Sequence, residues 1–394
     1  MKGLKKFLIV LYMYRFFVDF VLLYPVYMLL FESKGLSLFH ISLLMMIWSV
    51  PVLLLEIPSG MLSDCWNRKY IIVIGTACKL LCFVLWLFAG DFWLFALGFV
   101  FWGTGEAFCS GSVQALLYDV LKKYEEEEQY EKYAGRAGFY GGIGIAASML
   151  LGGWAASVGY DAAAWLSVAS VAAAAVITLF LEEAEASQAE SLTWAQYLRA
   201  LREGLAPGRG NPRIIMLLMF CSLVVIVPGI LEEYDQLYVS RVGLSLGMVG
   251  VWGGMRTGAE ALGSRFAFVL KRWFGTIRRL CVLVIIGGVM LFVPVYAYSM
   301  YLLPVYGLFY ALIAGVYVLS ESMLQREVPS AQRAAFLSVN NLLMNVFGLI
   351  LYLGFAGAST LGGLRAGFLG MAVYMVMVAA VFMVIGRKDK GTRA

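Results

Sequence analysis

The ten residues Gly60-Met61-Leu62-Ser63-Asp64-Cys65-Trp66-Asn67-Arg68-Lys69 form a short polar and charged stretch between two long apolar segments. An apolar segment needs about 20 residues to cross a bilayer as a helix. Both flanking segments, near 38–60 and 70–90, are that long. The stretch is therefore expected to form a tight turn at a membrane surface. Taken alone, it also fits an ordinary basic cytoplasmic loop.

The composition of the chain indicates a membrane protein with many spans. Of its 394 residues, 62% are hydrophobic and 14% are charged, and a soluble domain of that composition would expose much apolar surface. Twelve apolar runs are long enough to cross a bilayer: 7–31, 38–60, 70–90, 92–120, 134–157, 161–181, 213–239, 244–269, 278–298, 301–325, 334–358 and 362–386. The first run is too long for a signal peptide and has no small-residue cleavage site, so we expect a retained helix.

Lysine and arginine are unevenly distributed between the two sides that these spans define. Of the 30 such residues, 24 lie at the termini, in the loops after even-numbered spans or at the adjoining span ends. Three lie on the opposite side: Lys34, Arg241 and Arg365. The other three fall within spans: Arg15, Lys79 and Arg256. Because basic residues are enriched on the cytoplasmic side, we expect a multi-pass protein of the cell membrane with both termini in the cytoplasm. The net charge of +5 follows from this placement and does not indicate nucleic-acid binding.

A long polar stretch separates six spans from six. We expect an N-terminal six-helix half over 1–181, a cytoplasmic connector over 182–211 and a C-terminal six-helix half over 212–394. The connector contains an amphipathic segment, 192–201, whose Trp194 and Tyr197 suit the membrane surface.

Residues 60–69 resemble the loop between helices 2 and 3 of the major facilitator superfamily. That family's pattern reads Gly, any residue, Leu, a small residue, Asp, a basic residue, any residue, Gly, Arg, Lys. The chain keeps Gly60, Leu62, Asp64, Arg68 and Lys69 of this pattern, with Ser63 at the position of the small residue. It departs at Cys65, where a basic residue is usual, and at Asn67, where Gly is usual. Because Asn best tolerates the left-handed backbone that a Gly would supply, we expect the turn to survive this second change.

The resemblance implies an all-α membrane protein with twelve transmembrane helices in two six-helix pseudo-repeats, which is the major facilitator fold. It also implies alternating access, in which the halves rock about a site near the bilayer midplane. Four residues of the turn are then expected to act in gating: Gly60, Asp64, Arg68 and Lys69. By the same resemblance, Asp64 and Arg68 hold the halves together in the outward-facing state. The second half has a degenerate copy of the turn, with Gly263, Arg265, Lys271, Arg272 and Gly275.

The fifth span has glycines spaced like those in the antiporter motif of the superfamily's exporters: Gly135, Gly144, Gly152 and Gly153. Small residues let helices approach closely in a membrane, and the resemblance implies a conformational role for the last three. The chain departs from the motif at Ser148 and Met149, where exporters have Gly-Pro. Phe99 also stands where the drug and proton antiporters have an arginine. Generic small-residue packing is therefore the alternative.

Charged residues inside the spans are the candidates for transport chemistry, because an unpaired charge at the bilayer centre costs roughly 2.5–3.5 kcal/mol. Arg15 and Asp19 are four residues apart, so they share a helix face and can pair, and Arg256 and Glu260 repeat that spacing. Glu106, near the middle of the fourth span, has no basic residue within four positions. It is our first candidate for a protonatable coupling site. A neutral Glu that is hydrogen-bonded to another helix is the alternative.

Two further groups of polar residues are candidates for the substrate cavity. Near its outer end the seventh span carries three acids: Glu232, Glu233 and Asp235. Such a cluster attracts a cation, and a solvated rim is the alternative. Asn341 and Asn345 share a face of the eleventh span, where they either line the cavity or pack against another helix.

Three more residues are assigned to conformational roles. Glu56 lies in the cytoplasmic part of the second span, just before the turn at 60–69, which favours gating or loop anchoring over substrate contact. Asp119 ends the fourth span and Arg136 begins the fifth on the same side. A structural ion pair is therefore expected between these two residues.

The sequence lacks the residues of a metal or nucleophilic centre. His40 is the one histidine, so neither a histidine metal cluster nor a Ser/His/Asp triad can be built. The cysteines lie in spans or on the cytoplasmic side, which argues against disulfides. We expect no enzyme activity, no metal and no cofactor, a proton gradient as the driving force, and a monomer as the acting form.

The function predicted first is proton-coupled export of a small amphipathic or cationic compound, such as a drug or a secreted metabolite. Protonation of an acid would shift the balance between inward and outward forms. A proton-coupled importer of a nutrient or osmolyte is the alternative. A lipid flippase, which needs a cavity that opens sideways, is a further one. The expected partners are a small-molecule substrate, protons and the lipid bilayer.

Overall fold

The computed structural model describes residues 2–183, 202, 208, 211–329 and 333–386. Within these ranges the chain forms helices joined by turns, and no strand occurs among them. Most of the predicted connector, including the amphipathic segment 192–201, lies outside the described residues.

Seven of the described helices precede the connector. They are α1 (Lys2–Asp19), α2 (Tyr27–Ser33), α3 (Leu38–Cys65), α4 (Arg68–Phe88), α5 (Phe92–Lys123), α6 (Tyr130–Val158) and α7 (Tyr160–Thr178). The predicted first span is thus divided between α1 and α2, with irregular backbone over 20–26. Pro25 explains the break, because it has no N–H to donate and disfavours helical backbone at the residue before it.

Six described helices follow the connector. They are α8 (Pro212–Arg241), α9 (Leu246–Arg265), α10 (Ala267–Phe274), α11 (Ile277–Ala297), α12 (Leu303–Glu327) and α13 (Arg333–Ile385). Gly362 and Gly363 have non-helical backbone, and Gly363 has a φ of 67°. They therefore divide α13 into two arms, which correspond to the eleventh and twelfth predicted spans.

Nine helices in the described ranges are long and apolar enough to cross a membrane. Three differences from the twelve predicted spans account for this number. The first span is broken near Pro25, the eighth is interrupted by Arg256 and Glu260 on α9, and the last two are merged in α13. The predicted fold class, an all-α membrane protein with twelve spans, is therefore confirmed.

The chain forms two compact units. The first unit comprises Met1–Trp194 with Ser245–Val251, and the second comprises Ala195–Leu244 with Trp252–Ala394. In the first unit, α4 packs closely on α5, and α1 packs on α6 and α7. In the second unit, α8 and α11 both pack on α12 and α13. The domain limits assigned from the sequence stay a prediction.

The turn at 60–69 is shorter than its polar sequence suggests. Helix α3 continues through Cys65, so only Trp66 and Asn67 connect it to α4. Asn67 has φ −64° and ψ 119°, which is extended backbone, and its Oδ1 accepts a hydrogen bond of 3.0 Å from the backbone N–H of Lys69. Asn67 therefore does not use the left-handed backbone that a Gly would supply at this position. Asn67 is an N-cap, a position that Asn favours because its side chain satisfies a free N–H of the first helical turn.

The glycines of α6 allow close contact with the first helix of the chain. A Cβ built on Gly144 would collide with the carbonyl oxygen of Phe16, and one built on Gly152 would collide with that of Leu22. Gly135, in contrast, has no neighbour within 4 Å of such a Cβ. Two glycines of the motif therefore seat α6 against the backbone of residues 16–22.

We predict that Gly144→Ala lowers the thermal unfolding midpoint of the purified protein in detergent. The added methyl has no space, and overpacking of this kind costs about 1–3 kcal/mol. Gly142→Ala is the matched control, because the same helix leaves open space at Gly142. Equal midpoints for the two variants would show that α6 does not depend on this contact.

Candidate functional site

A polar cavity of about 360 Å³ lies within the first unit, between α1, α4 and α5. Four charged side chains line it: Arg15, Asp19, Lys79 and Glu106. Neutral polar groups are contributed by Tyr14, Thr76, Cys109, Ser110 and Gln114. Because intramembrane charges are rare and costly, this concentration of them marks the main candidate site for a ligand or a proton.

Asp19 lies between two basic side chains. Its Oδ2 is 3.4 Å from Nη2 of Arg15, and its Oδ1 is 3.6 Å from Nζ of Lys79. The pair of Arg15 and Asp19 that their spacing predicts is therefore present. Lys79 adds a second ion pair, which joins α4 to α1.

Sequence reasoning missed Lys79. It placed this lysine inside a span but gave it no role, because no acid lies within four positions of it on its own helix. In the structure only 7% of Lys79 is exposed, and its ammonium lies 5.7 Å from the centroid of the Tyr24 ring, within cation–π distance. Only its position inside a span could have indicated a role, because a base in the membrane that has no acid nearby on its own helix needs a partner from another helix.

Close contact between α4 and α5 brings two of these charges to the same cavity. A Cβ on Gly75 would lie 3.0 Å from the carbonyl oxygen of Gly105, and one on Gly105 would lie 2.5 Å from that of Gly75. Gly75 precedes Lys79 by one helical turn, and Gly105 is next to Glu106. The small residues therefore fix how near the base of α4 comes to the acid of α5.

Glu106 is the exposed acid of the cavity. No ion pair or hydrogen bond joins its carboxylate to a residue in the described part of the chain. Ser110 and Gln114 follow it at one and two turns of α5 and line the same cavity. Glu106 is thus accessible, whereas Asp19 is held by two bases.

The second unit contains a cluster around Arg256, which is only 8% exposed. Its Nη1 is 3.0 Å from Oε1 of Glu260 and also contacts the carboxylate of Glu232. Its Nε is 3.7 Å from Oδ2 of Asp235. The predicted pair of Arg256 and Glu260 is therefore present. Of the three acids of the seventh span, Glu232 and Asp235 contact this arginine.

Asp235 is the most enclosed acid of this cluster, with 3% of its surface exposed. It accepts hydrogen bonds of 3.0 Å from Nε1 of Trp252 and 3.0 Å from the hydroxyl of Tyr310, and a third from the hydroxyl of Tyr306. The Arg256 guanidinium also lies 5.3 Å from the centroid of the Tyr310 ring. A solvated rim is therefore the wrong description of Asp235. The three aromatic partners could not be found from spacing along α8, because they lie on α9 and α12.

The other polar candidates of the second half are Glu233, Asn341 and Asn345. Glu233 is half-buried beside Glu232 on α8. Asn341 is exposed and Asn345 is half-buried. The asparagine that joins two helices is instead Asn340, whose Oδ1 accepts a hydrogen bond of 3.1 Å from the Ser222 hydroxyl.

The expected ion pair between Asp119 and Arg136 is corrected by the structure. Asp119 is paired with Arg68, which also donates a hydrogen bond of 2.9 Å to the carbonyl of Ala115. Arg136 is exposed and lies near the hydroxyl of Tyr12. The physical reason is that the first turn of α4 lies directly against the end of α5.

Most of the remaining residues assigned to gating belong to the turn at 60–69 or lie just before it in the sequence. Lys69 Nζ is 3.5 Å from Oε1 of Glu183, at the start of the connector. Gly60 is exposed on the last turns of α3. The side chains of Glu56 and Asp64 lie outside the described part of the structure. Of the glycines assigned to conformational change, Gly144, Gly152 and Gly153 are all buried.

Comparison with known families finds a match to the Major Facilitator Superfamily over residues 8–352. No curated protein sequence matches the chain at a significant level.

Several solved transporter structures share the fold. A crystal structure of the nucleoside transporter NupG, determined for a mutant of that protein, has a TM-score of 0.80 at 16% identity, with 97% of this chain and 99% of that chain covered. A bacterial homologue of the human lysosomal transporter Spinster, inward-facing and unoccupied, has a TM-score of 0.74 at 17% identity, with 99% and 98% covered. A POT family transporter in complex with 5-aminolevulinic acid has a TM-score of 0.71 at 11% identity, with 98% and 96% covered.

We predict that Lys79→Ala destabilises the protein more than Arg15→Ala does. Lys79 is buried, whereas 33% of the Arg15 side chain is exposed, and removal of one partner from a buried pair costs about 3–5 kcal/mol. Thermal unfolding in detergent measures both effects. Asp19→Asn should cost less in the Lys79→Ala background than it does alone, because the ion pair between the two residues is then already lost. Strictly additive effects would show that Lys79 and Asp19 do not interact.

For the second unit, Asp235→Ala should lower the unfolding midpoint well below that of Asp235→Asn. Alanine removes the acceptor of three donors, of which one tyrosine hydroxyl can still donate to the other. Trp252 and the second tyrosine are left unsatisfied, and a buried unsatisfied group costs about 1–3 kcal/mol. Asparagine keeps one acceptor oxygen in nearly the same place. Similar midpoints for the two variants would mean that the aromatic donors bind elsewhere.

Proposed function

This chain belongs to the Major Facilitator Superfamily and is a secondary transporter, and we propose that it couples the movement of a small polar solute to protons through Glu106. The observation that carries the proposal is the cavity of the first unit, in which one acid is open and one is already paired. A proton that binds Glu106 changes the charge of the cavity, whereas Asp19 is balanced by Arg15 and Lys79.

The lining of this cavity favours a polar or zwitterionic substrate over the amphipathic or cationic compound predicted from the sequence. Two bases and two acids face the same space, together with hydroxyl and amide groups. A solute with both a donor or cation and an acceptor or anion can satisfy such a surface, whereas an apolar one leaves charges unsolvated. Similar structures were determined for a nucleoside transporter and for a transporter in complex with 5-aminolevulinic acid. Both names refer to polar solutes.

The mechanism we propose is alternating access with protonation as the switch. In the ionised state, Glu106 and Lys79 carry opposite charges within one cavity. Protonation of Glu106 removes that attraction, and a change of this kind shifts a two-state equilibrium by its differential energy. The proposed gating set is the turn at 60–69 with Asp119. We place both termini in the cytoplasm, on the distribution of Lys and Arg, and take the acting form to be a monomer.

The direction of transport stays a prediction. The glycine pattern of α6 resembles that of exporters, yet the contacts of Gly144 and Gly152 with residues 16–22 fit either direction, because they fix helix distance only. Proton-coupled import of a nutrient is the alternative, and a polar nutrient would also suit the charged lining of the cavity.

We predict that Glu106→Gln abolishes uphill transport in proteoliposomes with an imposed pH gradient, while substrate binding falls by less than about threefold. The amide preserves shape but has no proton to exchange. Uptake of a panel of labelled nucleosides, amino acids and amines, with the interior made acidic or alkaline, identifies both the solute and the direction.

Glu131→Gln serves as the matched control, because Glu131 is an exposed acid at the start of α6 outside the cavity. It should transport as the unmodified protein does. Gradient-driven accumulation by Glu106→Gln at the unmodified rate would remove Glu106 from the mechanism. Transport that ignores the pH gradient in the unmodified protein would remove proton coupling altogether.

A further inference from the structure

A second surface, separate from the polar cavity, is formed by the hairpin that contains the degenerate copy of the signature turn. A groove of about 540 Å³ lies among α9, α10, α11 and α12 in the second unit. Its walls are apolar and include Phe266, Val269, Leu283, Ile286 and Leu308. About half of the surface of Val269, Ile286 and Leu308 is exposed, at 50%, 44% and 57%. The groove therefore opens towards the apolar surroundings of the protein.

Four basic residues lie at one end of this groove: Arg265, Lys271, Arg272 and Arg279. Arg265 and Lys271 are next to groove residues in the chain, and Arg279 lies one helical turn before Leu283 on α11. No Asp or Glu occurs between Glu260 and Glu321. None of the four bases forms an ion pair with a carboxylate in the described ranges. This end of the groove has a positive charge that the protein does not neutralise locally.

Helix α10 presents both kinds of side chain at this end. Phe268 and Trp273 are 69% and 64% exposed, and Lys271 and Arg272 beside them are also exposed. The helix is held to α11 by a hydrogen bond of 3.0 Å from the Arg279 guanidinium to the carbonyl of Trp273. A short helix with exposed aromatic and basic residues is typical of the interface between headgroups and acyl chains.

We propose that this surface binds an anionic phospholipid, with an acyl chain in the groove and the headgroup phosphate at the basic end. The apolar walls can bind only an acyl chain, and the basic residues can bind only an anionic group. A lipid joins the two at the spacing that a membrane interface provides. Basic clusters beside transmembrane helices recognise anionic headgroups by this combination. Free phosphate would use the bases alone and leave the groove without a role.

The test measures thermal stabilisation of the full-length protein in detergent by short-chain lipids of equal length. Dioctanoyl phosphatidylglycerol should raise the unfolding midpoint at lower concentration than dioctanoyl phosphatidylcholine does. Glycerol 1-phosphate, which carries the phosphate without chains, should have no effect. Equal stabilisation by both lipids would overturn the proposal, and full stabilisation by glycerol 1-phosphate would replace it with a free-phosphate site.

Two variants assign the effect to the two parts of the surface. Lys271→Ala with Arg272→Ala should raise the half-saturating concentration of phosphatidylglycerol about 25-fold, at about fivefold for each base. Lys5→Ala with Lys6→Ala, an exposed basic pair on α1, is the matched control and should leave it unchanged. An identical response of the two double variants would exclude the basic end as the headgroup site.

For the groove, Ile286→Trp should fill the space and weaken the binding of phosphatidylglycerol. Val289→Trp is its control, because Val289 is 52% exposed on the same helix but does not line the groove. Native mass spectrometry with equimolar phosphatidylglycerol and phosphatidylcholine gives a second readout that does not depend on stability. Unchanged adduct numbers for Ile286→Trp would exclude the groove as the chain site.

Discussion

A charge inside the bilayer must find an opposite charge, and the internal structure of both units follows from that requirement. Lys79 and Arg256 are 7% and 8% exposed, so both are largely removed from solvent. Each is paired with a carboxylate on a different helix, Asp19 for Lys79 and Asp235 for Arg256. Loss of Asp19 would leave Lys79 without its ion pair, and loss of Arg256 would leave the buried carboxylate of Asp235 without its base. Unpaired charges of this kind are among the largest penalties that a single side chain can incur. These two contacts therefore join α1 to α4 in the first unit and α8 to α9 in the second.

Both units neutralise buried charges, but the ratio of bases to acids in their ion pairs is opposite. In the first, one paired acid is shared by two bases, which leaves Glu106 open in the same cavity. In the second, one base is shared by three acids, and the most buried of them, Asp235, also accepts hydrogen bonds from three aromatic side chains. The first arrangement leaves a titratable group accessible. The second is a closed network, in which every member already has a partner, and such networks rigidify a core.

The sequence predicts what a single helix determines and fails where a second helix is needed. The spans were found because apolar length is a local property, and the pairs of Arg15 with Asp19 and Arg256 with Glu260 were found because four residues make one turn. The interhelical partners Lys79 and Trp252 were not found, because no spacing along the chain encodes them. The same limitation produced the wrong partner for Asp119. Asn67 shows a different limit: its place in the turn was recognised, but it provides a side-chain oxygen to the first turn of α4 instead of the left-handed backbone that the family pattern suggests.

The proposed lipid site and the charge cluster of the second unit both include residues of α9 and α12. The lipid bound at the groove can therefore affect the stability of the buried ion pairs. Helix α9 carries Arg256 in the cluster and Gly263 at the groove, seven residues apart, which is about 10 Å along a helix. Helix α12 carries Tyr310, which binds Asp235, immediately before Ala311, which lines the groove. A Cβ on Gly263 would collide with the carbonyl of Ala311, so α9 and α12 touch at the groove itself. An acyl chain bound in the groove would therefore contact α9 and α12, the same helices that carry Arg256 and Tyr310. A lipid that stabilises the contact between these helices would stabilise the ion network as well.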